Sequence, residues 1–176
     1  MEPLVTAEEL AGYLRRDLDR YSADLAVTGA SGIVRSYCGW NLSRAVETLT
    51  VTANGSISVN LPTLRLNDVT EVRADGAVLD PAEYGWGSNG VLAARYRWPL
   101  GMQYLAVDVD HGYDPVPDEI RLSCLSMASR LYSNPEGLSS KSSGDDSRVL
   151  GDAISDARPS AWEGLELRIL HRYRIA

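Results

Sequence analysis

Phenylalanine is absent from these 176 residues, and of the 17 basic side chains only Lys141 is a lysine. Tyrosine (9) and tryptophan (4) must therefore supply the aromatic volume of any core. Each buried ring then brings an O–H or N–H that needs a partner. Cysteine is scarce: Cys38 and Cys124 are the only two, and they lack metal-ligand spacing. Both fall inside expected helices, which predicts reduced thiols packed as small hydrophobes. Net positive charge is missing as well. At −7 the chain is a poor candidate for non-specific nucleic-acid binding as its main function. No apolar run reaches the ~20 residues of a membrane helix. The start, Met1-Glu2-Pro3-Leu4-Val5-Thr6, has no basic segment leading into an apolar one, so no signal peptide is expected. The expected setting is a reducing cytoplasm, or a particle assembled there.

Chemical motifs are equally sparse. Asp108, Asp110, Asp114 and Glu119 fall at positions 1, 3, 7 and 12 of a calcium loop, but Tyr113 stands where that loop requires glycine, and Pro115 and Pro117 interrupt it. His111 and His171 are the only histidines. A triad on His111 would need a Ser or Cys and a carboxylate beside it, and no Gly-x-Ser-x-Gly elbow is present; a small hydrolase using His111 is the lesser alternative, and a turn histidine is expected instead. Gly85, Gly87 and Gly90 are not followed by a helix and do not form a phosphate loop. The expectation is a non-enzyme with no metal and no cofactor. Tyr84, Trp86, Tyr96 and Trp98 could form an aromatic ligand face, which gives an alternative function as a monomeric glycan-binding β-module; core or subunit packing is the plainer reading.

What is present is periodicity. Thr6-Ala7-Glu8-Glu9 is a capping box, and the helix it opens is expected over 6–21 with Leu10, Tyr13, Leu14, Leu18 and Tyr21 on one face. A second helix over 23–38, capped by Ser22 and closed by Gly39, completes a helical pair. Gly29 and Gly32 within it mark weak points or close contacts. From residue 45 the period changes to two. Strands are expected across 45–110, the first two joined as a hairpin at Asn54-Gly55 and a loop at 84–90, giving six or seven short antiparallel strands. Residues 104–110 lead through His111-Gly112-Tyr113-Asp114-Pro115 into a third helix over 117–132. Ile120, Cys124, Met127, Ala128 and Leu131 form one apolar stripe of that helix and Leu122, Leu125, Ala128 and Tyr132 a second, which predicts a central helix. The fold class is α+β: helical pair and long central helix, with an inserted antiparallel sheet or sandwich. This core, 1–133, is followed by an arm over 134–176. Its Ser/Gly-rich start has little to bury and is not expected to order alone. Val149, Leu150 and Ile154 form an apolar island in it. Ser160-Ala161-Trp162-Glu163 is a second capping box. The helix it opens places Trp162, Leu165, Ile169, Leu170 and Tyr173 on one face, of which Trp162, Leu165, Ile169 and Tyr173 are a candidate partner-binding surface together with Val149 and Leu150.

The order of these pieces resembles one family. Thr6-Ala-Glu-Glu-Leu-Ala-Gly-Tyr-Leu14 and Ala30-Ser-Gly-Ile-Val-Arg-Ser-Tyr-Cys-Gly39 are similar to the opening helices of head–tail connector proteins, the adaptors or head-completion proteins of tailed double-stranded DNA phages. Val46-Glu-Thr, Leu61-Pro62 through Val69-Thr-Glu-Val72, Tyr84 and Gly90-Val-Leu92 resemble the family's β-rich version. Gly112-Tyr113 and Val116-Pro117 before a long helix are the most typical piece. Gly144-Asp-Asp-Ser147 and the terminal helix resemble an interlocking arm. Asp110 departs from the aromatic residue common at its position. The resemblance implies a structural virion protein that forms a ring, commonly of twelve, under the portal. Such a ring extends the DNA channel and presents a surface to a stopper or tail-completion protein. Its partners are its own copies, the portal and passing DNA, and its place is the neck of the virion. Repulsion between an acidic lining and phosphate would let DNA slide.

Overall fold

The computed structural model describes residues 1–53, 55–98, 104–134, 138–141, 148–150 and 164–175, with backbone alone for 138–141, 148–150 and 164–165. These hold four α-helices and nine strands in an α+β arrangement. The chain divides into two compact units: residues 1–37 with 118–172, and residues 38–117 with 173–176.

The first unit is helical. α1 (Ala7–Leu14) begins at the expected capping box: the Glu9 N–H donates to Thr6 Oγ1 at 3.2 Å and the Thr6 N–H to Glu9 Oε2 at 2.7 Å. It stops seven residues short of the expected end at 21. Arg15 turns left-handed (φ 53) and its N–H caps the carbonyls of Ala11 and Gly12. α2 (Arg20–Cys38) consequently starts three residues early. Its cap is Asp19, not Ser22: Asp19 Oδ2 accepts the Ser22 N–H at 2.9 Å, and its carbonyl accepts from Ala23 at 2.9 Å. Leu18 falls in the connection, and Tyr21 lies on α2, where it is exposed. A methyl added at Gly29 would lie 3.5 Å from Leu131 Cδ1, an ordinary van der Waals distance, and one at Gly32 would meet nothing within 4 Å among the described residues, so neither glycine is required by a close helix contact. Gly39 ends α2 at φ 80.

α3 (Asp118–Ser133) matches its expected span within one residue, and buries Ile120, Ser123, Cys124, Met127 and Ala128. Of the second stripe, Leu122 is exposed, Leu125 and Tyr132 are half-buried and Ala128 is buried; the Tyr132 hydroxyl accepts the Asp19 N–H at 3.1 Å. α4 (Gly164–His171) lies against α3, with Glu166 paired to Arg130 at 2.9 Å and Leu170 fully buried.

The second unit is built of strands. A four-stranded sheet has the order β1 (Ala45–Thr52), β7 (Tyr104–His111), β3 (Leu66–Ala74), β4 (Ala77–Val78). A three-stranded sheet has the order β2 (Ser58–Asn60), β6 (Val91–Ala94), β5 (Tyr84–Trp86). All these pairs are antiparallel. Leu105, Val107 and Val109 of β7, Val69 and Val72 of β3, Val59 of β2 and Leu92 of β6 meet in one core, so the two sheets share a single apolar interior.

The expected hairpin at Asn54-Gly55 is not formed, because β1 and β2 belong to different sheets. β1 pairs with β7 in eight unbroken steps from Ala45↔His111 to Thr52↔Tyr104. A two-residue turn into a three-residue strand offered far fewer ladder bonds than this distant partner. Asn54 itself lies outside the described residues. The expected loop at 84–90 begins with β5, and the β region runs one residue beyond 110, to His111. In the arm, β8 (Leu138–Lys141) pairs with β9 (Arg148–Leu150), setting Leu138 opposite Leu150.

Candidate interaction surfaces

The period of two divides β7 cleanly. Leu105, Val107, Val109 and His111 are buried, while Tyr104, Ala106, Asp108 and Asp110 lie on the other face. That face is a charge ladder. Asp110 receives a bidentate hydrogen bond from Arg44 (2.7–3.1 Å) and another from Asn67 (3.3 Å). Asp108 accepts from Thr48 Oγ1 (2.5 Å) and Arg73 (2.8 Å), and Arg73 also pairs with Glu71. The Thr48 hydroxyl, with help from Arg73, holds the Asp108 carboxyl below its usual range; Arg44 and then Asn67 do the same for Asp110. Two of the acids compared with a calcium loop, Asp108 and Asp110, are thus held by arginines across the sheet. Among the described residues no cluster of three or more His, Cys, Asp or Glu could hold a metal.

His111 is not a turn residue. It closes β7 with a side chain only 1% exposed, its Nε2 lying 2.8 Å from Glu47 Oε1. A carboxylate can only accept, so Nε2 donates. Nδ1 is buried and has no hydrogen-bond partner among the described residues. The thiols are inert by burial, which pushes Cys38 up to about 11 and Cys124 upward too.

The aromatic quartet is divided. Trp98 is 3% exposed and belongs to the core, whereas Tyr96 is 74% exposed. A buried Trp98 cannot stack on a sugar, so the pairing of Trp86 with Trp98 required of a glycan site is not available. A different aromatic group does form. Trp40 and Tyr113 rings lie 5.8 Å apart, Tyr113 and Tyr173 meet edge-on at 5.9 Å, and Trp40 Nε1 donates to the Tyr173 carbonyl at 2.6 Å. The Ile175 N–H then donates to the Cys38 carbonyl at 3.0 Å.

The candidate partner stripe is therefore distributed. Tyr173 packs on its own chain, a role the helical spacing gave no means of finding. Ile169 is half-buried on α4, and Leu165 lies in the same helix. Val149 and Leu150 lie in β9. Trp162 and the Ser160–Glu163 capping box are outside the described residues. Sequence reasoning missed Arg44 and Arg73 as partners of the β7 acids; their signal was arginine near or in neighbouring alternating strands. It also missed the open edge of β1, which only the pairing order reveals.

Comparison with known proteins gives these surfaces a context. The chain is 26% identical over 132 residues to the head completion protein of Escherichia phage T5, covering 73% of this chain and 76% of that one. Its fold is similar to a chain in the neck of an empty gene transfer agent particle, with a TM-score of 0.66 over 98% of this chain and 90% of the other, at 13% identity. A chain in the native virion of a gene transfer agent particle matches equally well. The head completion protein family model matches residues 4–148. Most of the chain is thereby accounted for, and it belongs to the head completion protein family.

Proposed function

We propose that this protein is a head-to-tail adaptor that closes into a ring beneath the phage portal, extends the DNA channel and presents the docking surface for the next neck or tail component. The observation that carries this reading is the family match spanning both helical and β regions, residues 4–148. The similar chain from a gene transfer agent particle belongs to a neck computed with C6 symmetry. A ring of six copies, or of twelve, would fit such an axis. The protein acts without catalysis and without cofactor: its work is to seal and connect. Passing double-stranded DNA is touched without sequence reading, consistent with the net charge of −7.

The stripe of Trp162, Leu165 and Ile169, with Val149 and Leu150, is assigned to partner contact. The test is electron microscopy of the purified chain alone and with portal. Rings on the portal axis are the expected result. A chain that stays monomeric in both, together with virions that join heads to tails in its absence, would refute the reading.

A further inference from the structure

Two features of the chain lack partners of the same kind. The first is the outer edge of β1. It is eight residues long, it ends the four-stranded sheet, and among the described residues no backbone group outside β7 bonds to it. Alternate N–H and C=O groups along 45–52 therefore point outward unpaired. Proteins usually blunt such an edge with proline, lysine, a bulge or brevity. Ala45-Val-Glu-Thr-Leu-Thr-Val-Thr52 has none of these. Its single charge, Glu47, is held by His111. Its register against β7 is unbroken, whereas β3 carries two irregularities against the same strand. Val46 on this strand is 77% exposed.

The second feature is the β8–β9 hairpin. It is a sheet of two strands, with no third among the described residues. A two-stranded hairpin is marginal in water and gains stability from a further strand. Its sequence places Val149-Leu150 beside Arg148.

We propose that β9 of one copy adds to the open edge of β1 in the next copy, so that neighbouring subunits share one sheet in the order β8-β9-β1-β7-β3-β4. The occupant is a second copy of this chain, because the same chain supplies both the unfilled edge and the unsupported hairpin. The contact is head-to-tail: edge and hairpin are different surfaces, so each copy uses both and the chain of contacts can close into a ring. This inference rests on the ring-forming reading above and names the contact that builds the ring.

The test combines assembly with hydrogen exchange on the full chain. Val149→Pro removes one backbone N–H from β9, and proline is not accommodated inside a strand paired on both sides. The expected result is an unchanged melting transition with loss of the assembled species in light scattering and native mass spectrometry. In assembled wild type, alternate amides of 45–52 should exchange more slowly than in dilute monomer; in Val149→Pro that protection should be lost. If Val149→Pro assembles like wild type, the β9 contact is wrong. If it assembles with β1 still protected, the edge pairs with another β1. If wild type assembles without protecting β1, the pairing is wrong but the ring reading stands. A wild type that assembles neither at high concentration nor on portal removes both.

Discussion

Gly112 follows the last residue of β7 with φ +93, and an added methyl would collide with the Ser43 carbonyl and come within 2.8 Å of the Arg44 nitrogen. Both the dihedral and the backbone neighbours exclude a side chain. Gly112→Ala should therefore destabilise the β unit by more than about 2 kcal/mol, measured by denaturant titration. Electrostatics gives a second residue-level expectation. The folded Asp108 and Asp110 carboxyls are held below the unfolded range of about 3.9, so their contribution is complete above that range and is lost as pH falls through the lower folded values. The melting temperature should drop on acidification below about pH 4. Asp110→Asn should be less stable at neutral pH and flatter in acid; an unchanged acid slope would show that these pairs contribute nothing. Glycine at the corner was legible because punctuation is local. The environment of His111 was not: the break at Gly112 suggested a turn, although the alternation through Leu105, Val107 and Val109 already placed position 111 on the inward face.

Among elements, those governed by near neighbours were legible and those governed by distant ones were not. The Thr6–Glu9 box and the span of α3 follow from contacts within a turn or two. Thr6→Ala should cost about 1 kcal/mol, read from urea midpoints at constant slope, because it leaves the Glu9 N–H without its acceptor. Glu9 amplifies this, since its other oxygen pairs with Arg121 of α3. The early end of α1 was hidden because Leu18 and Tyr21 continue a helical period that Arg15 breaks by its backbone alone. Strand pairing was hidden for a different reason. β1 and β7 are set by hydrogen bonds between residues some sixty positions apart, and nothing in the local pattern of either strand names the other. A strong Asn-Gly signal therefore predicted a hairpin that long-range register overruled.

For the whole molecule, the family was legible from the order and spacing of short pieces, and the fold class followed from the change of period at residue 45. The arm is where sequence reasoning reached least far, because an apolar stripe says what wants covering but not what covers it. Tyr173 is covered by Tyr113 of its own chain, which leaves Trp162, Leu165 and Ile169 for an outside partner under the adaptor reading. Trp162→Ala should weaken portal attachment about tenfold or more, given roughly 1.5–3 kcal/mol for burying one such side chain, while leaving the melting curve in place. Normal attachment measured by co-sedimentation with portal would return that stripe to the protein's own interior.

The division of the chain also sorts its chromophores. Trp40, Trp86 and Trp98 all belong to the strand-built unit, and the last of the 4 tryptophans, Trp162, lies outside the described residues. In a Trp162→Ala background, indole fluorescence becomes a reporter of the β unit only, while far-ultraviolet dichroism is dominated by α2 and α3. Heating one sample under both probes then resolves whether the two units melt as one cooperative body or in sequence.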